Sequence, residues 1–192
     1  GFVGCGRIGF GPPGDGARSD GNFGDGPSAT SCGGLANTCG STQTGSCCES
    51  LVIPAGTYAR SYDVSGDGMY PDSSYGASVS NFRLDKYEVT VGRFRTFVIA
   101  GQGVQANPPL PGAGARMLNG MAAQGGWDPN WNVNLPPDPA SLVVAVKCDA
   151  TFQTWTDAPG DNEGRPMNCI DWYQAMAFCA WDGGFLPTEA EW

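Results

Sequence analysis

Hydrophobic and polar positions fall into regular patterns in only a few stretches of this chain, and those stretches define the elements to expect. Leu51-Val52-Ile53 is a β-branched run that meets Pro54-Ala55-Gly56, so Leu51 to Arg60 predicts a strand end and a hairpin. Between Val79 and Thr90, Phe82 and Leu84 share one parity and Tyr87 and Val89 the other. The switch at Asp85-Lys86 predicts a bulge or bend within a strand. Thr90 then caps an amphipathic helix in which Val91, Phe94 and Val98 recur at i, i+3 and i+7, ending at Gly101. SLVVAV, Ser141 to Val146, reads as a short buried strand, and Met167 to Ile170 as another. Asp171 caps a second helix, with Gln174 at the third helical position completing a capping box. Trp172, Ala175, Met176 and Cys179 lie on one face of that helix, Phe178 and Trp181 widen it, and Gly183-Gly184 ends it. After Pro187, the pair Thr188 and Glu191 reads as a further capping box, opening a helix of which only the first turn is present. Strand–helix pairs set among long loops predict an α+β fold with little regular secondary structure.

The stretches without periodicity divide the chain. Gly6 to Ser31 is Gly, Asp, Ser and Pro with little to bury, so residues 1–31 are expected to be a flexible tether. Asp-Gly recurs at Asp15, Asp20 and Asp25, but without the period of calcium-binding nonapeptides, and reads as a solvated spacer. Residues 32–50 form a Cys-rich segment, and residues 51–192 the body of the domain. Asp63, Ser65, Asp67 and Gly68 imitate the opening of an EF-hand loop. Position twelve would be Ser74 instead of a bidentate Glu, and no helices flank it, so a surface loop is expected. Gln102 to Pro139 is long and aperiodic. Its Trp127 and Trp131 are expected to anchor it to the body, the alternative being that they line a cleft.

Composition narrows the function classes. Nineteen Asp and Glu against ten Lys and Arg leave no basic stripe for nucleic acid, nor for an anionic membrane surface. Histidine is absent, which removes Ser-His and Cys-His catalytic arrangements from these residues. The eight cysteines point to disulfides in an oxidising, extracytoplasmic compartment. A C-x6-C-x7-C-C spacing is a poor zinc pattern, because adjacent Cys47 and Cys48 do not easily fill two corners of one tetrahedron. The disulfide candidates are Cys32, Cys39, Cys47, Cys48, Cys148, Cys169 and Cys179. The four between Cys32 and Cys48 would form two bridges with three possible connectivities, and Cys179 would reach Cys169 or Cys148. No run reaches the ~20 apolar residues of a membrane span. Phe2-Val3-Gly4-Cys5 is similar to the lipobox of bacterial lipoproteins, which makes Cys5 a lipidation candidate and a lipid anchor the one expected membrane contact. The alternative is a chance Gly-Cys in a Gly-rich tail. With Cys5 acylated, seven cysteines would remain, one of them free or paired elsewhere.

Two blocks, FRLDKYEVTVGRFRTFV (Phe82 to Val98) and RPMNCIDWYQAMAFCAWDGGFLPTEAEW (Arg165 to Trp192), preceded by IPAGTY (Ile53 to Tyr58), closely resemble the formylglycine-generating-enzyme, or sulfatase-modifying-factor, family. The likeness covers Leu51 to Trp192, and the tether and Cys-rich segment look like additions of secreted bacterial members. It implies a C-type-lectin-like fold, often calcium-stabilised. It also implies that LPTEAEW begins a central helix followed by a large C-terminal portion, so the chain is expected to be the N-terminal part of a family domain. The implied activity is oxidation of a cysteine in a sulfatase peptide to formylglycine by molecular oxygen, with copper held by two cysteines. Soft thiolates suit Cu(I).

In the family, that cysteine pair and most calcium ligands lie further toward the C-terminus, so no catalytic, cofactor-binding or metal residue is carried onto this chain. Copper and calcium are expected for a full-length member and neither for these residues. Glu88, Glu189, Glu191, Trp172, Trp181 and Trp192 read as architecture. Phe185 stands where the family usually has a basic residue, so apolar packing is expected around it. Any exposed face should be apolar around Trp181 and Trp192. Three functions compete: an oxygen- and copper-dependent oxidase of a cysteine-containing peptide or protein, a non-catalytic lectin-like binding or scaffold domain at the cell surface, and the family's iron-dependent sulfur–carbon bond-forming branch. The third relies on His ligands and ranks last. Residues 1 to 192 alone are expected to be inactive.

Overall fold

Helix α1, Val91–Ile99, is buried on nearly every side, and the rest of the chain is arranged around it. The computed structural model describes residues 4–7, 29–65, 68–118, 121–188 and 190–192, with backbone alone at 117–118 and 121–124. As expected, Thr90 caps α1, its hydroxyl accepting the Arg93 amide at 3.4 Å, and Gly101 leaves the helix at φ +66°. Phe94 and Phe97 project into the core and meet Phe178, with ring centroids 5.7 and 5.5 Å apart. Burial of three such rings is a main source of the core's stability.

Phe178 belongs to helix α3, Trp172–Trp181, which carries the expected capping box. The Asp171 carboxylate accepts the Gln174 amide at 2.8 Å, and the Gln174 side chain accepts the Asp171 amide at 3.0 Å. Gln174 to Cys179 are buried, but Trp172 is 50 % exposed. Trp172 therefore does not share the core face that helical spacing assigned to it, and its ring instead meets Trp131 edge-on at 5.1 Å.

SLVVAV is helical, not a strand: helix α2 spans Pro139–Ala145. The determinant lies just upstream, where Asp138 accepts the Ser141 amide at 2.8 Å and Pro139 presets the first turn. Leu142 and Val146, one turn apart, are buried, whereas Val144 is 70 % exposed. Met167 to Ile170 is not a strand either. Met167 donates to the Val89 carbonyl beside a single Thr90–Pro166 bridge, Pro166 has no amide to extend the ladder, and Cys169 turns to φ +59°.

The main sheet has β5, Phe82–Asp85, at its centre, with β1, Gly6–Arg7, on one edge and β2, Ser50–Ile53, on the other, all antiparallel. Leu84 is the partner of Gly6 on one side and of Leu51 on the other. Strand β3, Gly56–Ala59, pairs with β4, Gly76–Val79, and β6, Arg116–Leu118, with β7, Met121–Gln124. Thus the strand end before Pro54 is present, but β2 and β3 do not form a hairpin with each other. The Pro54-Ala55 link carries the chain between two sheets, held by the Ala55 amide donating to the Asn81 side-chain oxygen. The stretch from Val79 to Thr90 is likewise interrupted, since β5 ends where Asp85 turns its carboxylate into the interior.

All eight cysteines are bonded: Cys5–Cys179, Cys32–Cys48, Cys39–Cys47 and Cys148–Cys169. The expected two-bridge knot is nested. Cys179 pairs with neither Cys169 nor Cys148. Cys5 is fully buried with its sulfur on Cys179, which leaves no thiol for acylation and corrects its reading as a lipidation candidate. The same bond draws residues 4–7 out of the expected tether and into the sheet. Residues 29–31 are also drawn in, with Ser31 buried, whereas residues 8–28, with the Asp-Gly repeats, lie outside the described residues. The EF-hand imitation is an Asx turn in which Asp63 accepts the amide and hydroxyl of Ser65; Asp67 lies outside the described residues. Trp127 is buried, donates to Asn132 at 2.7 Å and meets Trp131 edge-on, so these tryptophans anchor the long loop as expected.

Candidate functional site

Arg93 sits on α1 between core positions, and its guanidinium is fully buried. It donates to Asp85 at 2.8 Å, to Asp182 at 2.6 Å and to the Ser31 hydroxyl at 2.9 Å. Arg7, from β1, reaches the same carboxylates, at 3.4 Å from Asp85 and 2.6 Å from Asp182. Asp182 also accepts the Ser31 amide at 2.6 Å, and Asp85 the Cys5 amide at 3.1 Å. Two cations and two carboxylates neutralise one another away from water, and their oxygens are almost fully engaged. Such a cluster fixes geometry, with Asp85 Oδ1 the carboxylate oxygen left without a hydrogen-bond partner. None of these residues was singled out from sequence. Arg93 lies off the Val91, Phe94 and Val98 stripe, so helical spacing gave no signal for it; its burial, which demands buried partners, is a property of the fold.

Among the described residues, clefts open on either side of the core, and the geometry of two is clear. The first, of about 320 Å³, lies over the sheet between Leu51, Ile53 and Leu84, with Tyr87, Glu88 and Trp192 on its rim. The second, of about 270 Å³, lies between α3 and the long loop, bounded by Pro108, Pro109, Leu110, Ala180 and Trp181. Glu88 and Trp192 therefore come together, with Trp192 67 % exposed as expected for an apolar outer face. Trp181 lies apart from them, packed on Phe97 and Phe178.

Of the other motif residues, Glu191 and Phe185 are packed into the fold. Glu191 is buried, pairs with Arg116 at 2.8 Å and accepts the amide and hydroxyl of Thr188. The carboxylate thus reaches back as a capping box requires, but the Thr188 hydroxyl donates to it instead of capping the Glu191 amide. Glu189 lies outside the described residues. Phe185 is buried against Phe82, and Gly6 crosses its ring so closely that a Cβ there would overlap it, which gives the apolar packing expected at this position.

The Glu49 carboxylate raises the Lys86 pKa, the Lys147 ammonium lowers that of Asp157, and hydrogen bonds from Ser141 lower that of Asp138. No group of three His, Cys, Asp or Glu that could hold a metal occurs among the described residues. With every cysteine in a disulfide, the residues present do not fit a thiolate copper site. The clefts offer apolar contact and a rim carboxylate, with no nucleophile–base pair.

The comparisons with known proteins attach to this framework. Residues 36–192 match the family described as the sulfatase-modifying factor enzyme 1-like domain. This chain belongs to that family. The match begins at residue 36, inside the Cys-rich segment, instead of at the expected boundary at 51, and it leaves β1 outside. The formylglycine-generating enzyme of Thermomonospora curvata is 25 % identical over 160 residues, covering 74 % of this chain and 46 % of that protein. Hercynine oxygenase of Mycolicibacterium smegmatis is 26 % identical over 147 residues, covering 74 % of this chain and 30 % of that protein. The chain thus spans less than half the length of these relatives. No solved structure matches significantly. The mixture of small antiparallel sheets and short helices is the α+β architecture of a sulfatase-modifying-factor domain.

Proposed function

We propose that this chain supplies the N-terminal framework of a formylglycine-generating-type oxidase, whose substrate is a cysteine-containing peptide or protein, and that it is inactive without the remainder of a family-length domain. The observation that carries this reading is the family match over residues 36–192. On this reading copper and calcium belong to a full-length member, and the protein works in an extracytoplasmic compartment. Four disulfides favour an oxidising environment. No helix among the described residues is long and apolar enough to cross a membrane.

The test is oxygen consumption with a cysteine-containing peptide and Cu(I). Residues 1–192 should show none, and a polypeptide that adds the remaining family-length portion should show copper-dependent uptake with loss of the peptide thiol. Turnover by residues 1–192 alone, or none by the longer polypeptide, overturns the proposal. The exposed Trp192 at the first cleft favours a second reading, a lectin-like binding or scaffold domain. That reading predicts saturable quenching of tryptophan fluorescence by oligosaccharides and no turnover from either polypeptide.

A further inference from the structure

The four disulfides are not equivalent. Cys5 and Cys179 are fully buried, Cys39 and Cys47 nearly so, and Cys32 and Cys48 are partly covered, whereas Cys148 is exposed. Its partner Cys169 holds φ +59°, a left-handed conformation that a side chain with a Cβ adopts at a cost. Gly or Asn is the usual choice there; the covalent bond to Cys148 holds a cysteine in place.

The loop closed by this bridge is also held without it. Thr154 takes its amide and hydroxyl to the Asn168 side-chain oxygen at 2.9 and 3.0 Å, and the Asn162 amide group donates to the Thr154 carbonyl at 2.9 Å. Glu163 accepts two nitrogens of Arg95, whose guanidinium lies 4.4 Å from the centroid of buried Trp155. Breaking the Cys148–Cys169 bond therefore opens only the tie between the end of α2 and the residues that lead into α3, and it lets Cys169 relax.

Accessibility to a thiolate and strain relieved on opening both make a disulfide exchange-competent. We infer that Cys148–Cys169 is a reversible thiol–disulfide exchange site, opened by an external dithiol while the other three bridges stay closed. One thiolate of the dithiol attacks the Cys148 sulfur and the S–S bond breaks. Cys169 leaves as a thiolate and takes a proton from water. The second thiol of the reductant then resolves the mixed disulfide. The bridge gains two electrons and two protons, and the dithiol leaves as its own disulfide.

The test uses the full chain with graded dithiothreitol, followed by differential alkylation and peptide mass mapping. Cys148 and Cys169 should reach half-labelling at a dithiothreitol concentration at least tenfold below that of any other cysteine, and air or oxidised glutathione should restore the bridge. Release of Cys32 and Cys48 first, or of all eight cysteines together, overturns the inference. A Cys148→Ser/Cys169→Ser variant supplies an independent readout. It should stay soluble with a cooperative thermal transition, and failure to fold would show the bridge to be a structural staple and also overturn the inference. Oxidase activity enters neither measurement, so the outcome stands apart from the proposed function.

Discussion

Replacing Arg93 by methionine tests the buried ion cluster directly. Methionine keeps much of the length and volume of the side-chain stem but removes the charge and its donors. The cluster then holds one cation, Arg7, against two carboxylates that are essentially fully buried. Asp182 keeps Arg7 at 2.6 Å and the Ser31 amide at 2.6 Å, so it is only partly deprived. Asp85 keeps the Cys5 amide at 3.1 Å and a long 3.4 Å contact to Arg7, so most of the uncompensated charge falls there. Breaking a buried pair from one side costs roughly 3–5 kcal/mol. For a chain of this size, 1 kcal/mol corresponds to about 2–4 °C in Tm, so the variant should melt roughly 6–20 °C lower. The assay is thermal and urea denaturation followed by circular dichroism, with the disulfides intact. Adding Asp85→Leu to Arg93→Met removes the stranded carboxylate and should recover part of the loss, with a coupling of about 1–3 kcal/mol. An Arg93→Met protein within about 1 kcal/mol of the parent, or strict additivity with Asp85→Leu, would refute the assignment of this cluster as the element that orders the core.

Three further outcomes follow from the same contacts. Cys5→Ala/Cys179→Ala opens a bridge with a sequence separation of 174, so the chain-entropy estimate is about 5 kcal/mol; a small change in the urea midpoint would contradict it. Gly6→Ala drives a methyl group into the Phe185 ring and should cost roughly 1–3 kcal/mol, whereas adding Phe185→Leu to it should restore part of that in the same denaturation assay. Hydrogen bonds from Ser141 hold the Asp138 carboxyl below its ordinary value, so its contribution to α2 is present above the unfolded pKa of about 3.9 and is lost as pH falls through the folded value. The stability difference between the parent and Asp138→Asn should therefore shrink on acidification below about pH 4, and a difference that grew instead would reverse the sign argued here.

The elements that could be read from sequence are those whose determinants lie within a few residues. Thr90 with Gly101, and Asp171 with Gln174 and Gly183, specify α1 and α3 locally, and both helices are present. SLVVAV is helical because Asp138-Pro139 just upstream, a helix start signal, outweighs its β-branched composition in a segment this short. The hairpin after Ile53 failed for a different reason: strand partners are chosen by the tertiary fold, and β2 and β3 found theirs about thirty and twenty residues away in β5 and β4. Cys5 is the sharpest case. Its local context suggested a lipid anchor, and only the fold brings it to Cys179. At the candidate site, Glu88 and Trp192 share a cleft that no spacing rule relates. The buried carboxylates Asp85 and Asp182 are recognisable only once Arg93 is known to need them.

The bond between Cys5 and Cys179 also imposes an order on biogenesis. In a polypeptide made amino end first, Cys5 emerges 174 residues before its mate exists. During that interval Cys32, Cys39, Cys47 and Cys48 are the nearest sulfurs, and each is a wrong choice. Oxidative refolding should therefore reach the native pairing faster with a disulfide isomerase present than without one.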